Sequence, residues 1–304
     1  MKKIIAIILT LALSLTLFAG CNAGSDEKTI TIGASPTPHA EILEIVKQEL
    51  AKDGWTLEIT VFNDYVQPNT AVEDGDLDAN YFQHQPYLDT FNAENGTHLV
   101  SVLSVHYEPF GIYSGNKTSL SDIADGDAIA IPNDGSNRAR ALLLLEANGL
   151  IKLADGVGME ATVLDIVENP HNLQITELEA AQIPNVRDSV DYAVINGNYA
   201  LGAGLNVTTD ALAFEDAASV SATTYANILV VKEGNENNAK IQALIAALQS
   251  DAVKAYMQAN PDFADKVEAE IRANSFKLMS KQSQIAAKAA GRAVDVAADD
   301  FDEE

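Results

Sequence analysis

Positive charge is scarce in this chain. Nineteen Lys and Arg stand against 44 Asp and Glu, a formal net charge of −25 at pH 7. Such a surface repels a phosphate backbone, which excludes DNA and RNA as partners. Cysteine is almost missing too. Cys21 is the only one, so no intramolecular disulfide and no CxxC pair can form. There is no G-x-S-x-G elbow, no GxxxxGK[ST] loop and no HExxH or HxxxH pattern, which leaves an enzyme reading without a nucleophile or phosphate cradle. His39, His84, His98, His106 and His171 are scattered singly, poor spacing for a metal centre. No repeat of 20–50 residues is present, which excludes solenoids and propellers.

The longest apolar run lies at the start, MKKIIAIILTLALSLTLFAGC. It is shorter than the roughly 20 residues a membrane span needs, follows a basic Lys2-Lys3 pair and ends in small residues, the organisation of an export signal. LFAGC resembles a bacterial lipobox. That resemblance implies cleavage of residues 1–20, acylation of Cys21, a polar linker over 21–29 and a domain tethered at the extracytoplasmic face of the cell membrane. More than one acyl chain is required for such an anchor to hold.

With 47% hydrophobic residues the exported part can fill one large or two modest α/β cores. KTITIGAS alternates Ile30 and Ile32 with polar residues and reads as a strand. Ile42, Leu43, Ile45, Val46 and Leu50 then recur at helical spacing, and LEITVFND reads as the next strand, a parallel crossover unit. LVSVLSVHYEPFGIYSG is strand-like and broken at Pro109 and Gly111, a crossing between lobes. LSDIADGDAIAIPND repeats the strand-to-loop pattern. ATVLDIVE, LQITELE and VDYAVING read as further strands, SATTYANILVVKEG as a return strand, and Asn238 to Ala259 as helical material. Residues 261–304 read as helical, then as an acidic disordered tail.

IPNDGSNRARALLLL places Arg138 and Arg140 in the first turn of an apolar helix for which Ser136 is the N-cap candidate. Cations there cost stability unless an anion compensates. Two partners fit: a carboxylate such as Asp134, or the carboxylate of a ligand, which arginine's planar fork suits. Asn196 and Asn227 could accept from an ammonium, or serve ordinary turns. Tyr81, Phe82, Tyr87 and Phe91 cluster within eleven positions, as core or as a pocket wall.

Over nearly all of Thr29 to Met257 the chain resembles the methionine-binding lipoproteins, the NlpA-type substrate-binding components of ABC importers. FNDYVQPN, GDLDANYFQHQPYLD, the PND…R…LLLL segment, GLIKLADGVG, TVLDIVENPHNL, ELEAAQIP and AVINGNYA carry the resemblance, in one order. It implies an α/β fold of the type II periplasmic-binding-protein kind, two lobes joined by crossing strands with the ligand between them. Lobe 1 would comprise residues 30–108 and 225–260, and lobe 2 residues 112–222. It further implies Arg140 as carboxylate clamp, Asn196 and Asn227 as polar contacts, Asn137 beside Arg140, and Tyr65, Phe82, His84 and Tyr87 as the pocket around the side chain. Arg138 is expected at the cleft rim or on the surface. Methionine, the importer's permease and ATPase and the membrane are the implied partners; no cofactor or metal is implied, and other amino acids, a methionine-containing dipeptide, a metal-binding role or an adhesive role stay open.

Overall fold

The computed structural model describes residues 28–215 and 223–259. The expected signal peptide, Cys21, the linker up to Glu27 and the tail 261–304 lie outside the described residues. Among the described residues no helix is long and apolar enough to cross a membrane.

Alternating Ile30 and Ile32 form β1 (Thr29–Ala34) with both side chains fully buried. The helix Glu41–Lys52 packs Ile42, Leu43, Val46 and Leu50 onto the sheet, and β2 (Thr56–Val61) returns parallel to β1. Each such side chain contributes roughly 1.5–3 kcal/mol when fully buried. The helix Gln67–Asp74 stops at Gly75, whose φ of 83° only glycine adopts freely, and β3 (Ala79–His84) follows, buried throughout. After the helix Gln85–Asn95 comes β4 (Leu99–Tyr107). The first sheet is completed by β12 (Ala226–Lys232) in the order β2-β1-β3-β12-β4.

Glu108, Pro109 and Phe110 lead from β4 to β5 (Gly111–Ser114) in the second sheet. Its other strands are β6 (Ala128–Pro132), β9 (Gln174–Leu178), β10 (Tyr192–Ile195) and β11 (Ala211–Phe214); β7 (Lys152–Leu153) and β8 (Ile166–Glu168) form a separate ribbon. From its far end the second sheet runs β9-β6-β10-β5-β11. That repeats the first sheet's arrangement: parallel strands, then one antiparallel strand, then an edge. The antiparallel member is in each case the strand arriving from the other lobe, β12 against β3 and β4, β5 against β10 and β11. The helix Gly135–Ala147 covers the second sheet, with Leu142 and Leu145 packed among Ile129, Ile131 and Val194.

Two local readings are corrected and a third is refined. Asp134, not Ser136, is the N-cap of that helix, its carboxylate accepting from the Asn137 amide at 2.9 Å. ATVLDIVE begins as a 3-10 turn closed by a reciprocal Thr162–Asp165 capping box, so only Ile166–Glu168 is strand. The helical material expected over Asn238 to Ala259 forms two helices, Ala239–Leu248 and Asp251–Ala259, because the Ser250 hydroxyl accepts from the Val253 amide and starts a new one.

Candidate functional site

Loops at the carboxyl ends of parallel strands face one another across the gap between the sheets, the usual location for a ligand in open α/β folds. His84 ends β3, Asn196 follows β10, and the helix after β6 carries Asn137 and Arg140. These four, with Tyr65, Phe82, Tyr87 and Asn227, line one cleft of about 320 Å³ that is partly open to solvent. The eight residues expected from sequence are therefore brought together. Gln83, Glu108, Gly197 and Asn198 line it as well, and none of them was among the site residues assigned from sequence.

One wall is aromatic. The Tyr65 ring lies 5.6 Å from both Phe82 and Tyr87 and 4.9 Å from Tyr199 of the opposite lobe, centroid to centroid. Its hydroxyl donates across the cleft to Asn198 Oδ1 at 2.6 Å. His84 serves two purposes. Nδ1 accepts from the Tyr87 amide, capping the helix Gln85–Asn95, which leaves Nε2–H to donate to Asn137 Oδ1 at 3.1 Å across the cleft. Burial, with the nearby Arg140 cation, drives its pKa down to about 3, so the ring is neutral.

The other wall is polar. Asn137 Oδ1 also accepts from Asn196 Nδ2 at 2.9 Å, while Asn196 Oδ1 is buried without a hydrogen-bond partner among the described residues. An acceptor so placed costs about 1–3 kcal/mol unless a donor arrives. Asn227 is held through Oδ1 by His39 Nε2 at 3.0 Å.

Arg140 is 4% exposed and does not meet Asp134. Its Nε and Nη2 grip the two oxygens of Glu215 at 2.8 and 2.6 Å, and Nη2 also donates to the Glu108 carbonyl at 3.0 Å. The Tyr225 ring stacks 4.2 Å from the guanidinium carbon and Phe110 4.9 Å. Burial would lower the Arg140 pKa, but Glu215 more than offsets that and raises it; burial works against Glu215 in turn, and Arg140 holds its carboxyl below the usual range. Nη1 remains without a protein acceptor among the described residues. Arg138, by contrast, is partly exposed and reaches Glu177 at only 3.5 Å, outside the cleft lining.

Beneath the cleft, two of the histidines that are scattered in sequence converge. His106 Nε2 donates to Glu108 Oε1 at 2.8 Å, its Nδ1 meets the Tyr81 hydroxyl, and His39 Nε2 lies 3.5 Å from Glu108. Ligand atoms of His39, His106 and Glu108 fall within 4.8 Å of one another. Gly197 makes room for this group: a Cβ there would sit 2.6 Å from that of Glu108. The acid of HYEPFG, placed before a proline in an otherwise apolar strand, was the available signal for Glu108. Glu215, 75 positions from Arg140, had no local signal.

Residues 30–270 match the NlpA lipoprotein family. The chain is 47% identical to membrane lipoprotein TpN32 of Treponema pallidum over 82% of its length and 90% of the relative's. It is 43% identical to the D-methionine-binding lipoprotein MetQ of Escherichia coli over 80% and 89%. The structure of a nutrient binding protein from Burkholderia cenocepacia bound to methionine superposes with a TM-score of 0.72 at 45% identity, covering 75% of this chain and 95% of that one. The two sheets and their crossing strands are accordingly a type II periplasmic-binding-protein fold, and this chain is a member of the NlpA lipoprotein family.

Proposed function

We propose that the protein is the substrate-binding lipoprotein of an ABC importer: it captures methionine between its lobes and delivers it to a membrane permease driven by a cytoplasmic ATPase. The observation that carries this reading is the pairing of an aromatic wall with a polar one, the Arg140 guanidinium and the Asn196 acceptor that has no partner among the described residues, on the two sides of one cleft. A thioether gains roughly 0.3–1.5 kcal/mol against aromatic rings, while an α-carboxylate and α-ammonium take up the polar groups. The protein does no chemistry on its ligand. Acylated Cys21 would keep it at the membrane.

Ligand contacts to both lobes favour the closed arrangement, and opening would turn on the crossings near Glu108 to Tyr113 and Ala222 to Tyr225, of which Ala222 lies outside the described residues. Arg140, Asn137 and Asn196 hold the polar end, Asn227 assists from the other lobe, and Tyr65, Phe82, His84 and Tyr87 surround the side chain. Isothermal titration of the full-length protein in detergent, unfolded and refolded once to strip carried-over ligand, tests this. Tight one-to-one binding of L- or D-methionine is expected. Heat only with leucine or a methionine-containing dipeptide would transfer the role to that ligand, and no heat with any of them would overturn the reading.

A further inference from the structure

Two asparagines of the cleft, Asn196 and Asn227, are alike in the sequence, and the structure gives them opposite polarity. Asn137 Nδ2 donates to both oxygens of Asp134, at 3.0 and 3.1 Å, which turns its Oδ1 toward Asn196. Asn196 answers with Nδ2 at 2.9 Å, so the end it offers a ligand is Oδ1, buried without a hydrogen-bond partner among the described residues. Asn196 is therefore an acceptor. Asn227 is pinned the other way. His39 is fully buried and stands behind the cleft, outside its lining. Its Nε2 lies 3.0 Å from Asn227 Oδ1 and 3.5 Å from Glu108 Oε1. Both neighbours are oxygens, so Nε2 carries a hydrogen whether or not Nδ1 carries one too, and an amide turned round would set Nδ2 against that hydrogen. With Oδ1 held from behind, Asn227 presents Nδ2 to the cleft that it lines. Asn227 is therefore a donor. Arg140, also a donor, has its guanidinium carbon 4.2 Å from the ring of Tyr225, two residues before Asn227.

Resting on the methionine reading above, we propose that His39 is a positioning residue for ligand recognition: by holding Asn227 Oδ1 it sets a donor before the ligand, so that Asn227 binds the α-carboxylate alongside Arg140 and leaves the α-ammonium to Asn196. His39 itself touches no ligand. Its buried hydrogen bond decides which end of the amide does, and Asn227 takes the opposite role to the ammonium acceptor that the sequence allowed.

Calorimetry with L-methionine on the full-length, chelator-washed protein in detergent tests this through the sign of a charge. Asn227→Asp keeps the oxygen that His39 holds and puts a second oxygen where Nδ2 was. Facing the ligand's carboxylate, it should bind methionine weaker than Asn227→Ala does, by about tenfold. Beside an ammonium the aspartate would bind at least as tightly as the alanine, and that result would overturn the proposal while leaving the methionine reading intact. His39→Leu removes the hydrogen and frees the amide to turn; it should weaken methionine binding about tenfold, whereas His39→Gln, whose Nε2 can donate from nearly the same place, should stay within about threefold of the parent. In the Asn227→Ala background His39→Leu should cost nothing further, because nothing is left to position. A merely structural histidine would cost the same in both backgrounds, and equal losses, or His39→Leu binding within about threefold of the parent, would overturn the proposal. Should His39→Leu not fold, the two Asn227 variants decide alone. Failure of the parent to bind methionine would overturn both readings. Binding lost on chelator washing and restored by zinc would put a metal in place of the hydrogen on His39 Nε2, and would likewise overturn the proposal.

Discussion

Each lobe is built on the same strand order, with one strand from the opposite lobe set antiparallel beside a parallel trio. The two nevertheless present different chemistry to the cleft. From the first come Tyr65, Phe82 and Tyr87, rings in mutual edge or tilted contact. From the second come Asn137 and Asn196, bound to each other, with Asn137 held by Asp134 and Arg140 by Glu215. The sheets fix where the loops end, and loop residues decide what those ends offer. Recognition of an amphipathic amino acid then needs both lobes at once, which couples binding to closure.

The largest expected effect on this division comes from Arg140→Ala. Glu215 would be left buried without its partner, so beyond losing methionine binding the variant should be destabilised by about 3–5 kcal/mol, read by urea unfolding without ligand. If stability were unchanged and only affinity fell, the polar wall would be held by something other than this pair.

Acid attacks the packing of the first lobe through buried neutral histidines. The folded pKa values of His39 and His84 lie at about 4 and about 3, below the ordinary 6.5. Below pH 6.5 the unfolded chain takes up protons that the folded rings refuse, so stability falls from pH 6.5 downward and levels only below the folded values. His39 alone should account for a loss on the order of 3 kcal/mol by pH 4. Unfolding midpoints between pH 7 and 4 should drop accordingly, and less steeply in His39→Gln.

A smaller effect is expected of Tyr65→Phe, which keeps the ring and removes only the cross-cleft bond to Asn198. About 1 kcal/mol of closure should be lost, seen as a severalfold faster methionine release in stopped flow with little change in melting temperature. Arg138→Ala should be nearly silent, within about 0.5 kcal/mol in stability and with unchanged affinity, because its pairing is long and partly exposed. Equal losses from Arg138→Ala and Arg140→Ala would erase the distinction drawn between them.

Elements whose signals are local were readable. Ile30 and Ile32 alternate because one face of β1 meets a core, and Ile42, Val46 and Leu50 repeat because one face of a helix does. The errors were local contests that polar side chains won: Thr162 and Asp165 turning a strand-like stretch into a 3-10 turn, Asp134 displacing Ser136 as cap. The cleft residues were legible through resemblance, not through spacing; periodicity alone left Asn196 and Asn227 as turn residues.

By itself the sequence determined the alternation of strands and helices, the acidic surface, the family and the eight residues that meet in the cleft. Only the tertiary structure decided which charges are balanced. Arg140 faces Glu215 across 75 positions and His39 meets Asn227 across 188, and such pairings arise because buried polar groups must find partners wherever the packed chain places them, at distances along the sequence that no local pattern encodes.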